Sequence, residues 1–352
     1  MRVLSIGSDQ KLFEEGSVVR LRAEAYAKAL GELHVIVFTR RRLGAVHAGP
    51  LHIYATGSWS RLLYAFDAAR IAKRVGGDVV TTQDPFESGL AGTLAARALG
   101  VPLHVQLHTD PFSPAFVRVS NVGHRMSYIN RCRLWLMPFV LRRAARIRVV
   151  SERLKSEITR RYHPRARVSV LPIFTDLARF RAIKHAPEKG HLLWVGRFER
   201  EKDPMLALET LAVVRAAGMD ARLTMLGAGR LASAVKARAK TRGLADHIEL
   251  AGHADPLPYL ARAELVLATS RYEGYGLAII EALAAGVPVL STDVGIAREA
   301  GATITARDSY MQTAAKLLTV GPPHPPPVPD PYPSFDDYVA RYAADIKACI
   351  QA

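Results

Sequence analysis

Ser270-Arg271-Tyr272-Glu273-Gly274-Tyr275-Gly276-Leu277-Ala278-Ile279-Ile280-Glu281-Ala282-Leu283-Ala284-Ala285-Gly286-Val287-Pro288-Val289 is the stretch on which the reading of this chain turns. A short β-rich run, Leu265–Ala268, leads into a polar, glycine-bearing turn. An apolar helix then opens near Gly276, stops at Gly286 and gives way to a second β-rich run over 287–291. Strand, turn, helix and strand in this order belong to a parallel sheet covered by helices. At the carboxyl edge of such a sheet, the turn and the helix N-terminus offer unpaired N–H groups and a positive dipole end to an anion. Gly274 and Gly276 let a phosphate oxygen approach the backbone, with Tyr275 and Leu277 beside them. Glu273 stands just before the helix and Glu281 one to two turns inside it, so they address different parts of one extended ligand. Two glutamates eight residues apart are common on surface helices. Here Leu277, Ala278, Ile279, Ile280 and Leu283 make the helix apolar, which reads Glu281 as inward-facing.

The same alternation runs through both halves of the 352 residues. In the first half, β-rich runs fall near 3–7, 34–39, 51–55, 79–83, 103–108, 147–150 and 168–172, with helical patterns near 18–30, 61–75, 89–99 and 152–161 between them. In the second, runs near 192–195, 222–226, 248–251, 265–268 and 287–291 alternate with helices opening near Pro204, Arg230, Pro256 and Gly276. The expected fold is α/β, with two Rossmann-like, doubly wound parallel-sheet domains facing a cleft. The first domain is assigned to 1–182 and the second to 190–320, joined by a polar linker within 180–190. Residues 321–334 are so rich in proline that they read as a semi-rigid spacer. Ser334 and Asp337 then resemble a capping box, opening a helix over 335–350 that returns to the first domain.

Further loops converge on the same expected edges. Gly196-Arg197-Phe198 through Lys202-Asp203-Pro204 places Arg197 and Lys202 beside the Glu273 turn, where a pyrophosphate leaving group needs cations. Arg200 reads as a solvated charge. Gly227-Ala228-Gly229 is a glycine turn between strand and helix, a weak sign alone and a stronger one at this edge. In the first half, His104 reads as structural, whereas His108 in His-Thr-Asp lies at a strand's carboxyl end. The loop 9–17, with Gly16, is the other candidate wall of the cleft. No Asp-x-Asp pair occurs, so a metal-bridged diphosphate site of that type is unsupported, and no metal or other cofactor is expected.

Composition narrows the class. Hydrophobic residues make up 49% and charged residues 23%, the profile of a globular enzyme. Cys132 and Cys349 have no paired spacing, which argues against a disulfide framework or a zinc site and suits a reducing compartment. The start reads as a strand rather than a signal peptide. The longest apolar run, 134–141, is far short of the ~20 residues of a membrane span. The expected location is cytoplasmic, at the inner face of the membrane. The net charge of +16 is regional: residues 1–185 carry 30 Lys/Arg against 13 Asp/Glu, and 118–167 alone carry 14 against two. Within 125–148, Trp135, Leu136, Phe139 and Val140 are flanked by arginines, as in interfacial helices that meet anionic lipid. A core helix with solvated arginines is the competing reading. No aromatic-basic recognition module points to nucleic acid.

Taken together, these motifs resemble the family 4 glycosyltransferases of the two-domain GT-B fold. The resemblance covers nearly the whole chain and is strongest over 196–288. It rests on Glu273-x7-Glu281 within Glu-Gly-Tyr-Gly-Leu, on Arg197 and Lys202, on Gly227 and Gly229, and on His108. Val150-Ser151-Glu152 and Val170-Leu171-Pro172 also match, whereas Ile173-Phe174-Thr175-Asp176 and the proline-rich spacer depart from the usual pattern, and Gly16 stands where two glycines are common. The resemblance implies a retaining, metal-independent transfer from a UDP-, GDP- or ADP-sugar to a lipid-linked or polysaccharide acceptor. It gives Glu281 the ribose hydroxyls, Glu273 the donor sugar, and Arg197, Lys202 and the N–H groups of Gly276 and Leu277 the diphosphate. His108 is placed near the transferred sugar. Rival readings are a GT-B epimerase or phosphorylase, and a non-catalytic basic protein on this fold that binds membrane or nucleic acid.

Overall fold

The computed structural model describes residues 1–118 and 126–351, which form two compact units. The first comprises 1–111, 128–174 and 332–352; the second comprises 112–127 and 175–331.

The first unit is built on β1 (Arg2–Gly7), β2 (Glu32–Val37), β3 (Val46–Ala48), β4 (Leu51–Ala55), β5 (Val79–Thr82), β6 (Leu103–Leu107), β7 (Arg146–Val149) and β8 (Arg167–Val170). Their order in the sheet is β3-β4-β2-β1-β5-β6-β7-β8, and every pair is parallel except β3–β4. The three-residue β3 escapes a periodicity argument because it is short and turns back through Gly49 at φ 57°. Winding reverses between β1 and β5, so the loops following those strands open a crevice at the carboxyl edge. Serines start the covering helices. Ser17 and Ser151 accept from the N–H groups of Arg20 and Leu154, while Gly31, Gly76 and Gly100 end helices at positive φ.

The helix Phe335–Lys347, capped by Ser334 accepting from Asp337 N at 3.1 Å, packs on the helix Val18–Leu30. Its Tyr338, Val339, Tyr342 and Ile346 join the core of Leu33, Val35 and Val37. Phe174, where the family pattern is broken, meets Tyr332, Phe335 and Tyr338 with ring centroids 5.2–6.5 Å apart. The departure from the family sequence therefore supplies an aromatic seat for this helix. Asp345 anchors it to the sheet: its buried carboxylate accepts from Arg146 Nε at 2.7 Å and Ser169 Oγ at 3.0 Å, and pairs with His104 Nε2 at 3.0 Å. His104 is wholly buried between Asp345 and Thr81.

The second unit carries β9 (His191–Val195), β10 (Arg222–Leu226), β11 (Ile248–Gly252), β12 (Leu265–Ala268), β13 (Val289–Ser291) and β14 (Thr303–Ile304) in the all-parallel order β11-β10-β9-β12-β13-β14. Its reversal lies between β9 and β12. Trp194, Leu208, Leu211, Leu223, Met225 and Leu267 form the centre of its core.

Boundaries differ from the sequence expectation. The limit placed at 182 falls instead at Phe174, because Leu177 and Phe180 are buried in the second unit. The polar stretch 180–190 is not a free linker. Its backbone bonds to the second unit, Ala186 N to Ala261 O at 2.8 Å and Glu188 N to Arg262 O at 2.9 Å. The short helix Pro114–Arg118 also belongs there, with Phe116 edge-on to Tyr272 and Ser113 Oγ donating to Arg271 O. The proline-rich stretch lacks regular structure and is held down where Arg181 bonds Asp330 and the Val328 carbonyl. The C-terminal helix ends at Lys347, three residues short of the expected Ile350.

Burial alone would raise the Asp345 carboxyl, but the bonds from His104, Arg146 and Ser169 overcome it and hold the group well below the usual range. Its stabilisation is thus present above the ordinary carboxyl range and fades as pH falls below it. Asp345→Ala is expected to lower stability by about 3–5 kcal/mol, because it strands the Arg146 guanidinium without a carboxylate; urea unfolding at neutral pH measures this.

Candidate functional site

The chemistry-bearing residues of the second unit gather where winding reverses. β9 and β12 are neighbours, so the loops 196–203 and 269–276 leave the same edge side by side. The Thr269 hydroxyl pins them together. It accepts from Trp194 Nε1 at 2.9 Å and lies 2.8 and 2.9 Å from the carbonyl oxygens of Lys202 and Asp203. Arg271 N adds a bond to the Glu201 carbonyl at 2.7 Å.

This frame brings Lys202 onto Glu273, forming an ion pair through Nζ and Oε1; the same oxygen accepts from Ser270 Oγ at 2.7 Å. The positioning device was not legible in the sequence. Asp203 caps the helix Pro204–Ala216 from a left-handed backbone, φ 47°, and its buried carboxylate pairs with Arg271 at 2.7 Å and with Arg307. Asp tolerates that conformation better than most residues because its short side chain bonds locally. Arg271 and Arg307 are distant in sequence, so only folding reveals what they hold.

Gly276, at φ 104°, opens the helix Leu277–Ala284 without a side-chain cap. The amides of Gly276, Leu277 and Ala278 have no backbone acceptor among the described residues, as the start of a helix requires. Tyr275 is buried and its carbonyl accepts from Ile296 N at 3.0 Å, which fixes the turn from behind. Leu277 is partly exposed at the helix start. Glu281 faces partly inward in the same helix. Burial pushes its carboxyl up to about 7, with the Arg179 guanidinium acting against the shift.

Arg197 is largely exposed and bonds Glu201 at 2.7 Å, so its guanidinium stands over the edge on a buried carboxylate. Arg200 is exposed, in line with a solvated charge. Gly227 and Gly229 have an immediate structural cause. A Cβ on Gly227 would fall 1.9 Å from the Gly196 carbonyl oxygen, and one on Gly229 2.6 Å from that of Phe198. The glycine turn is shaped by the adjacent loop, with Phe198 N bonding Ala228 O at 2.9 Å.

In the first unit, a cavity of about 440 Å³ opens beside the β1–β5 reversal, lined by Asp9, Arg22, Gln83, Asp84, His108 and Arg148 among others. His108 is held at 3.1 Å by Gln106 Oε1, and Arg148 donates to that same oxygen at 2.8 Å. Since Gln106 Nε2 donates to Thr81 and Tyr342, its oxygen must accept, which puts the His108 proton on Nε2 and leaves Nδ1 as an acceptor. Burial, with Arg148 and His104 nearby, pushes His108 down to about 3, so the imidazole is neutral at physiological pH. Gly16 sits at φ 74° in open space just before the Ser17 cap, a turn glycine rather than a cavity wall.

Of the basic stretch 118–167, residues 119–125 lie outside the described residues. Beyond them, Tyr128, Trp135 and Phe139 are exposed on the helix Met126–Leu141, Trp135 to 82%, while Met137, Val140 and Leu141 are buried. Arg143 lies 3.7 Å over the Phe139 ring. A second exposed apolar group, Trp59, Leu62 and Phe66, went unnoticed in the sequence, because its i, i+3, i+7 spacing looks like a core face. No helix among the described residues is long and apolar enough to cross a membrane.

Comparison with known proteins bears on the fold and the family. Residues 16–179 match the model described as Glycosyltransferase Family 4, and 189–320 that described as Glycosyl transferases group 1. The chain is 26% identical over 264 residues to an alpha-D-kanosaminyltransferase of Streptomyces kanamyceticus, covering 68% of this chain and 66% of that one. It is 30% identical over 233 residues to a D-inositol 3-phosphate glycosyltransferase of Jonesia denitrificans, covering 59% and 54%. The matched region thus spans between half and two thirds of those relatives. Among solved structures, Anabaena Alr3699/HepE in complex with UDP and glucose superposes with a TM-score of 0.64 at 16% identity, covering 100% of this chain and 95% of that one.

Because burial raises the Glu281 carboxyl, this group favours the folded state least once pH exceeds 7, and its penalty is absent below the ordinary carboxyl range. Glu281→Gln should therefore stabilise the ligand-free protein by on the order of 1–3 kcal/mol at pH 8 and by much less at pH 5. Denaturant unfolding at the two pH values reads the difference.

Proposed function

From the premise that this chain belongs to the family 4 glycosyltransferases of the GT-B fold, we propose that it moves a sugar from a nucleotide-sugar donor to a lipid-linked or polysaccharide acceptor, with retention and without a metal ion. The observation that carries this reading is the site at the β9–β12 reversal. Lys202 is paired to Glu273 there, beside the uncapped start of the helix Leu277–Ala284. A diphosphate suits that position, since Lys202, Arg197 and the amides of Gly276 and Leu277 can each donate to it. As the glycosidic bond breaks, charge develops on the departing phosphate, and these donors are already oriented toward it. Both contacts of Glu273 go to Oε1, which leaves Oε2 for a hydroxyl of the donor sugar. Glu281, half-buried one to two turns into the helix, takes the ribose hydroxyls. No residue is assigned as a covalent nucleophile. Front-face attack, with the leaving phosphate accepting the acceptor's proton, fits a site of this make-up. The cavity at His108 receives the acceptor, and the neutral imidazole offers it a hydrogen-bond acceptor at Nδ1.

The relative that acts on an inositol phosphate and the neighbour holding UDP and glucose support a nucleotide-sugar donor and a hydroxyl acceptor. For an acceptor borne by lipid, support comes from the exposed Trp59, Leu62, Phe66, Tyr128 and Trp135, with the exposed Arg61 and Arg131 near them in sequence. That combination suits the inner, anionic face of a membrane.

A thermal-shift screen against UDP-, GDP- and ADP-sugars should raise the melting temperature with one base. Glu281→Ala and Lys202→Ala should each abolish that rise; no rise with any donor would refute the reading. In liposome flotation, the chain should float with anionic vesicles and remain behind with neutral ones. Trp135→Ser should reduce the floated fraction severalfold, and indifference to lipid charge would remove the membrane assignment.

A further inference from the structure

At the opposite, amino-terminal end of the first sheet, Glu32, His34 and His52 each turn one ligating atom into a common space, all within 4.8 Å of one another. The strand register produces this convergence. His34 and His52 are direct partners in the parallel β2–β4 pair, and Glu32 lies two residues before His34, on the same face. The alternate residues Leu33, Val35 and Val37 point the other way, into the core beneath the helices Val18–Leu30 and Phe335–Lys347. Glu32 Oε1 is 2.8 Å from His34 Nε2 and 3.5 Å from His52 Nε2. In a tetrahedral zinc site, ligand atoms about 2.0–2.1 Å from the ion lie roughly 3.3 Å from each other.

The far side of each ligand is already held. His34 Nδ1 is 3.2 Å from the Tyr54 hydroxyl, His52 Nδ1 is 2.8 Å from His47 Nδ1, and Glu32 Oε2 accepts from Arg2 Nε at 3.0 Å. Tyr54 and His47 can accept from Nδ1–H of their neighbours, which leaves both Nε2 lone pairs directed at Glu32. Such outer partners fix the tautomer and ring orientation of metal-binding histidines and raise their basicity. His47 reaches this position through the antiparallel β3 strand, which places it opposite His52. Six residues on four strands thus serve one point.

We propose that Glu32, His34 and His52 bind a divalent transition-metal ion, with Zn²⁺ the best-matched species, and that the ion fastens β2 to β4 at the sheet's edge. Two imidazoles and one carboxylate suit zinc and its neighbours rather than calcium or magnesium, which prefer all-oxygen sets. The site is structural. It lies at the end of the strands opposite to His108, so a metal-independent transfer is unaffected by it.

The test uses the full chain, stripped with a chelator and dialysed against micromolar Zn²⁺, with bound metal measured by elemental analysis and affinity by competition with a chromophoric chelator. One equivalent is expected for the wild type, with a rise in melting temperature on adding Zn²⁺. Glu32→Gln and His52→Ala should each weaken binding at least tenfold and lose that rise. Tyr54→Phe keeps all three ligands and should weaken binding about tenfold by freeing the His34 ring. This last variant decides the matter if a ligand substitution prevents folding. A wild type that retains no zinc, or variants that retain as much as the wild type, would overturn the site. Neither result depends on transferase activity.

Discussion

The parallel pairing of β9 with β12 is the constraint on which the second unit's chemistry depends. It sets two long loops at one edge, and the Thr269 hydroxyl, held by Trp194, locks their backbones together. Lys202 and Glu273 lie 71 residues apart and meet only because of that lock. Asp203 works from beneath, a buried carboxylate in a left-handed turn holding Arg271 and Arg307. Under the proposed function, a diphosphate at this site would gain from cations fixed in advance, since donors that need not reorganise stabilise developing charge most.

The first unit solves a similar problem with a neutral residue. His108 is kept uncharged by burial and by Arg148, and its tautomer is set by Gln106. The guanidinium that depresses the imidazole also orients the amide that holds it. The C-terminal helix closes this arrangement, contributing Tyr338 to Arg148 and Tyr342 to Gln106 while Asp345 fastens it to β7 and β8. Residues from the end of the chain are therefore part of the same polar network as His108.

Most of the strands and helices were legible because their patterns are local. Apolar alternation, serine caps and glycine stops mark 18–30, 152–162 and 222–226 with little dependence on what packs against them. Where the reading slipped, a long-range contact decided. The limit at 182 moved to Phe174 because Leu177 and Phe180 found a core in the second unit, and β3 formed because His47 and its neighbours could pair with β4. Gly227 and Gly229 resembled a phosphate-binding turn, yet the Gly196–Phe198 backbone already accounts for them.

By itself, the sequence determined the class of the fold, the family, and the places of His108 just after β6, of Lys202 and Glu273 in the loops after β9 and β12, and of Glu281 inside the helix that follows. Those properties follow from short-range periodicity and motif spacing, which survive without knowledge of neighbours. The tertiary structure alone decided which groups share a charge, which histidine tautomer is held, and that Glu32, His34 and His52 converge. Such facts depend on sheet register and burial, where a shift of one residue turns every side chain to the opposite face.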